Sequence, residues 1–235
     1  MTTKRGILLG GLATVVALAA ALWWFVLRND APPPPELGGI ATTQPTADAG
    51  TGAATSPTDL VGPWSVVAAD SFVGYRVQEE LARFGFTEAV GRTSQIEGFL
   101  EISGSVITAV NITVDMASLR SDSERRDGAL RRQALETDEF PTASFVLAEP
   151  IELGSIPAPQ TPFSTTAVGD LTIHGVTKQV ALPLDAQLTG SRIEVVAALH
   201  VLFADYDIDP PSAAAVLSVE DEGQLEMQLF FAPDS

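Results

Sequence analysis

The residues best placed to do chemistry are two histidines, His174 and His200, and the alternating carboxylates Asp205, Asp207 and Asp209 ahead of Pro210-Pro211. His174 stands in Ile173-His174-Gly175-Val176, a tight-turn pattern. An imidazole there more often bonds nearby backbone than a metal or a substrate. His200 falls on the polar face of an alternating strand, where solvation is the simplest reading. The aspartate trio lacks the turn glycine and distal glutamate of a calcium loop. Glu220-Asp221-Glu222 before Gly223 reads as a solvated hairpin turn. With no cysteine and no paired-histidine spacing, a zinc site would need carboxylates to complete it. No glycine-rich phosphate loop and no serine set between glycines occurs, and a thiol nucleophile is excluded. The expectation is a chain with no catalytic residues and no metal site; the alternative is an enzyme that uses the Asp205–Asp209 carboxylates and a metal.

Four arginines, Arg125, Arg126, Arg131 and Arg132, cluster within eight positions. They are candidate receivers of an anionic headgroup. The alternative is a solvated helical face balanced by Glu124, Asp127 and Glu136. Past residue 60 there are 26 acidic and 10 basic residues, a net charge near −16. Such a surface repels phosphate backbones, which argues against nucleic-acid binding, and it disfavours lying flat on anionic lipid.

Strand patterns must position these side chains. Ser71, Val73, Tyr75 and Val77 share one face. Residues 106–115 alternate Val110, Ile112 and Val114 with Asn111, Thr113 and Asp115. The formal glycosylation sequon Asn111-Ile112-Thr113 lies inside this strand and is read as chance. Phe145 and Leu147 open a strand after Pro141. Residues 169–180 read as a hairpin turning at His174-Gly175. Val195 to Phe203 and Leu225 to Phe231 alternate apolar residues with Glu194, His200, Glu226 and Gln228. The pattern predicts eight or so long strands. One helix, Asp122 to Leu135, interrupts them, with Ser121 and Glu124 in capping-box spacing and Asp127 four residues before Arg131. Long antiparallel strands with no crossover pattern predict a closed up-and-down barrel, with a two-sheet sandwich as the alternative. Tyr75, Ile112, Val114, Phe145, Leu147, Leu171, Ile173, Leu182, Leu184, Leu199, Val201, Phe203, Met227 and Leu229 then face inward. They either fill a core or line a hydrophobic tunnel.

The chain divides into residues 1–28, 29–60 and 61–235. Residues 7–27 form an uncharged run of 21, about 30 Å as a helix and enough to cross a bilayer core. Lys4 and Arg5 precede it, which favours a cytoplasmic N-terminus, and Trp23 and Trp24 lie near its far end. Ala17-Leu18-Ala19 and Ala19-Ala20-Ala21 also offer small-x-small cleavage sites, so a signal peptide is the second reading. Either way the remainder is exported: a single-pass protein of the cell membrane with its domain on the extracytoplasmic side, or a secreted one. Residues 29–60, with Pro32 to Pro35 in a row, read as a disordered linker stiffened by polyproline II.

Three segments carry a resemblance to the YceI-like family of polyisoprenoid-binding proteins. They are Gly169 to Val180, Asp138-Glu139-Phe140-Pro141-Thr142-Ala143-Ser144-Phe145, and the charged helix Ser123 to Arg131. Their order and spacing agree with the family from Trp64 to Phe231. The resemblance implies an all-β, eight-stranded, lipocalin-like antiparallel barrel with one short helix. It implies a hydrophobic tunnel for an isoprenoid quinone, a polyprenyl lipid or another long acyl chain, no catalysis, export, and dimers in some members. Departures fall at Asp70-Ser71, at Thr93 and at Phe203-Ala204-Asp205-Tyr206-Asp207, where Phe203 replaces an arginine. These affect recognition of a polar head and leave the fold untouched.

Overall fold

The period-two segments all become strands. A computed structural model describes residues 31–38, 60–82, 85–211 and 216–234. In chain order they contain β1 (Gly62–Val66), β2 (Phe72–Leu81), β3 (Gly85–Thr93), β4 (Ile96–Ser103), β5 (Val106–Asp115), the helix α1 (Glu124–Ala129), β6 (Thr142–Leu147), β7 (Ile151–Glu152), β8 (Phe163–Ile173), β9 (Val176–Thr189), β10 (Arg192–Leu202), β11 (Val216–Val219) and β12 (Glu222–Pro233).

Eight of the twelve strands close a ring in the order β1-β4-β5-β6-β8-β9-β10-β12, and β1 returns to β12. All these pairings are antiparallel. The barrel expected from the pattern is therefore the fold, and the sandwich alternative is not. The other four strands complete the wall beyond the ends of the shorter ring strands. β2 runs along Gln224 to Gln228 of β12, β3 and β11 flank β2, and β7 extends β5. β3 reaches the far side of the ring through a mutual backbone pair between Arg92 and Arg120, at 2.9 and 3.0 Å.

Local chemistry sets the connections. His174 (φ 50°) and Gly175 (φ 73°) both take left-handed backbone between the paired Ile173 and Val176. That is the two-residue turn whose twist matches antiparallel strands. The helix starts later than the spacing predicts. Ser123, not Ser121, caps it by accepting the Arg126 N–H at 3.4 Å. Ser121 instead bonds Asp127, donating its N–H at 3.0 Å and its hydroxyl at 2.6 Å. Asp127 is thus buried (3% exposed) and is not the surface partner of Arg131 that its spacing suggests. The last turn, Leu130 to Ala134, widens, and the Leu135 N–H reaches back five residues to the Leu130 carbonyl at 2.8 Å.

The expected membrane helix at 7–27 lies outside the described residues. Among the described residues no helix is long and apolar enough to cross a membrane. Part of the expected linker departs from disorder. Residues 31–38 are an extended segment bonded to the outer wall of the barrel.

Closure rests on β1, which is only five residues long. Trp64 anchors it: the side chain is 2% exposed and its indole N–H donates to the Leu60 carbonyl at 3.0 Å. Trp64→Ala should cost about 3–5 kcal/mol from the lost contacts and the cavity left behind. For a domain of this size that lowers the melting temperature by roughly 6–20 °C. Thermal unfolding followed by circular dichroism checks it, and a drop smaller than about 2 °C would rule out β1 as the closing element.

Candidate functional site

Inward-facing side chains from the ring strands meet in two apolar clusters. One gathers around Phe145, Leu171, Leu182 and Val201, the other around Trp64, Leu100, Leu229 and Phe231, and Ile107, Val110, Met116 and Met227 touch both. The interior is not filled. A cavity of about 290 Å³ runs between the clusters. Its cause is legible in the lining, where Ala89, Ala167 and Ala197 are buried wall residues with little side chain to occupy the lumen. An eight-stranded barrel is just wide enough for side chains to fill it, so small inward residues leave space.

Of the fourteen apolar residues singled out from the sequence, twelve line this cavity: Tyr75, Ile112, Val114, Phe145, Leu171, Ile173, Leu182, Leu184, Val201, Phe203, Met227 and Leu229. Leu147 and Leu199 pack against the Phe145 cluster without reaching the lumen. Leu100, Ile102, Leu188 and Ile193, which the alternation analysis passed over, also line it, as do Val195 and Phe231, which it placed on apolar strand faces without singling them out. Their inward parity is visible in β4, β9, β10 and β12. Picking them out needed the register of neighbouring strands, which one sequence does not carry.

The four arginines separate. Arg125 and Arg132 are exposed, and Arg131 is half-buried with Nη1 enclosed and without a hydrogen-bond partner among the described residues. Only Arg126 lines the cavity. It ion-pairs with Glu79 of β2 and with Asp122. Burial opposes its charge, but the hydrogen bond and charge of Glu79, then those of Asp122, outweigh burial and hold the guanidinium charged. Beside it stands Tyr75, whose ring lies over Gly91, where a Cβ would come within 2.4 Å. The Tyr75 hydroxyl is buried with no partner in hydrogen-bond geometry among the described residues, although the Ser121 side chain is near enough to oppose the rise of its pKa. Burial, opposed by Arg126, pushes the phenol up to about 12. The cavity is therefore greasy along its length, with a polar corner of a neutral hydroxyl and a charge-balanced guanidinium.

The remaining sequence candidates act structurally. His174 Nδ1 lies 3.2 Å from the Tyr206 carbonyl and Nε2 lies 3.1 Å from Glu136, with the ring edge-on to Phe140 at 4.4 Å. It bonds backbone as expected, and it also pins the loop after α1 to the β8–β9 turn. His200 is exposed. Asp205 pairs with Lys178 at 2.7 Å. Asp207 (φ 52°) ends a short turn of helix. Among the described residues no group of three or more metal-ligating side chains forms a metal site.

Wall, closure and lumen define a closed antiparallel β-barrel with an apolar internal cavity. The chain belongs to the YceI-like domain family, whose description matches residues 64–231. It is 28% identical over 171 residues to UPF0312 protein plu2095 of Photorhabdus laumondii, covering 66% of this chain and 82% of that protein. It is 23% identical over 172 residues to UPF0312 protein VVA0736 of Vibrio vulnificus, covering 67% and 87%. Among solved structures the fold resembles a polyisoprenoid binding domain from Saccharophagus degradans (TM-score 0.59, 19% identity, 73% of this chain and 98% of that one). It also resembles Burkholderia cenocepacia BcnA (TM-score 0.54, 18% identity, 70% and 98%).

The chain holds two tyrosines, Tyr75 and Tyr206, and burial raises both, with Asp205 adding to the effect at Tyr206. Titration of the folded protein should therefore show less phenolate at pH 10.0, the ordinary tyrosine value, than the unfolded chain, in which half of the phenols are ionised there. Because the folded pKa of Tyr75 lies above the unfolded one, the stabilisation tied to its neutral form is complete below pH 10.0. It is lost as pH rises toward about 12. Near-ultraviolet phenolate absorbance checks this. In Tyr75→Phe the last phenol to ionise should disappear from the curve; a wild-type curve with both phenols ionising at pH 10.0 would contradict the buried placement.

Proposed function

We propose that this protein binds or carries an isoprenoid or another single-chain lipid in its barrel cavity, without catalysing a reaction. The observation that carries the reading is the unfilled apolar lumen itself. It also weighs against a filled-barrel interaction module, the other reading of the same inward faces. The Saccharophagus degradans relative in fold is described as a polyisoprenoid binding domain, which supports the same ligand class.

Magnitudes narrow the ligand. Each buried methylene contributes ~0.8 kcal/mol, so a few isoprene units outweigh an association cost of ~4–15 kcal/mol. A cavity of about 290 Å³ lies at the low end of small-molecule sites. It suits one slim chain and not the two tails of a phospholipid. The polar corner favours a neutral head. Arg126 already has Glu79 and Asp122 as counter-charges, so a phosphate arriving there meets two carboxylates. A neutral carbonyl needs only a donor, and the unpartnered Tyr75 hydroxyl is one. Phe203 adds apolar wall at the position where the family pattern carries an arginine. A prenyl quinone fits this combination better than a polyprenyl phosphate. Residues 7–27 would hold the barrel at the extracytoplasmic face of the cell membrane, next to the source of such lipids.

Native mass spectrometry of protein purified from its own host should show a co-purified single-chain lipid, or uptake of added prenyl quinone by the empty protein. No adduct in either experiment overturns the reading. Leu182→Trp plugs the lumen and should abolish uptake. The extra volume enters existing space, so the stability loss should stay below the ~1–3 kcal/mol of overpacking a full core. Undiminished uptake by this variant would place the ligand elsewhere.

A further inference from the structure

The outer wall of the barrel carries a second binding arrangement, independent of what the cavity holds. Glu226 on β12 is 0% exposed although its side chain points away from the lumen. Arg76 Nε of β2 reaches it at 3.1 Å and Arg92 Nε of β3 at 2.7 Å. Arg76 also pairs through Nη1 with Glu88, and each guanidinium has an Nη2 that faces the strap. Arg76 Nη2 donates to the Pro32 carbonyl at 2.6 Å, and Arg92 Nη2 donates to the Pro33 carbonyl at 2.8 Å. Further along, buried Glu194 of β10 is held by Gln187 and Gln228, both at 2.7 Å, and accepts the Gly38 N–H at 3.0 Å. Gly38 takes φ +72°, a left-handed turn that favours glycine.

The donors and acceptors suit a proline-rich strand. A run of prolines has carbonyls but no N–H groups, so it cannot join a sheet as a further strand. It must be met by donors alone, and arginine offers donors alone in a fixed fork. After the run N–H groups return, and where the Gly38 N–H meets the wall it finds a carboxylate. Proline-rich chain is extended before it docks, so little conformational entropy is lost.

We propose that the outer face of β10, β12, β2 and β3 is a receptor for a proline-rich extended segment, filled in cis by Pro32 to Gly38. Arg76 and Arg92 receive the proline carbonyls and Glu194 ends the contact. Residues 28–31 are then the only chain between the apolar run at 7–27 and the docked strap. Docking, not the length of residues 29–60, sets how far the barrel can stand from that run.

Hydrogen exchange on the full chain tests this directly. The Gly38 amide should exchange at least tenfold more slowly than an unstructured amide, and exchange at the unstructured rate overturns the proposal. In the full chain carrying Pro32→Gly, Pro33→Gly, Pro34→Gly, Pro35→Gly and Gly38→Ala, a synthetic peptide of residues 29–40 should bind saturably. The wild-type chain should resist it, because a tethered strap competes at an effective concentration on the order of millimolar. No binding by the substituted chain, or equal binding by both, overturns the proposal. Arg92→Gln, made in the substituted chain, should weaken the peptide at least tenfold while the melting curve shows a folded protein; unchanged affinity overturns the assignment of Arg92. If that variant fails to fold, the two comparisons above still decide.

Discussion

β1 hydrogen-bonds to β4 on one side and to β12 on the other, and the rest of the molecule depends on that double pairing. A sheet of long strands with alternating faces exposes both an apolar surface and two unpaired edges unless it closes. Here five residues close it, and the apolar face becomes an interior. Once closed, eight strands fix the width of the lumen, so whether it is solid or hollow is decided by side-chain size alone. Alanines at 89, 167 and 197 decide for hollow. Closure and small inward residues are thus separate requirements, and a cavity needs both.

The strands of this barrel are used on both faces. The ordinary expectation for an antiparallel wall is apolar inside and solvated outside. β2, β10 and β12 depart from it, since Arg76, Glu194, Glu226 and Gln228 face outward and are all buried. Their cost is met by pairing. Two arginines hold Glu226, two glutamines hold Glu194, and the strap at 31–38 satisfies what remains. Paired in this way, the groups avoid the cost that unpartnered polar groups would carry in the same place.

Much of this architecture was legible in residue order. Val110, Ile112 and Val114 alternate with Asn111, Thr113 and Asp115, and the segment Val106–Asp115 that contains them becomes β5 with those bounds. The His174-Gly175 dipeptide between alternating segments becomes the β8–β9 turn. Twelve inward residues reach the lumen because parity within a strand is a local property. What failed was non-local. Ser121 and Glu124 have the spacing of a helix cap, but the buried Asp127 captures Ser121 and the cap passes to Ser123. Glu194 and Glu226 have outward parity, and nothing local announces that Gly38, 156 positions from Glu194, or Arg76, 150 positions from Glu226, will cover them. The prolines at 32–35 have a linker's composition, and their docking depends on donors supplied from β2 and β3. The existence of a void was likewise unreadable, since it follows from which small residues face one another across the ring.

The two faces share a backbone, and this constrains both. Tyr75, at the polar corner of the cavity, is the neighbour of Arg76, which receives the strap, and Met227, on the lumen wall, is the neighbour of Glu226. Gln224 to Gln228 pairs in register with Arg76 to Phe72, so the inward and outward residues of both strands are fixed by one ladder. A one-residue slip would send Arg76 into the lumen and Tyr75 to the surface, and would exchange Glu226 with Met227. The buried Glu226–Arg76–Arg92 group therefore acts against any register but the native one. It would leave a charge unpaired in an apolar cavity, at a cost of several kcal/mol. The polar network outside the barrel is in this sense what keeps the inside apolar.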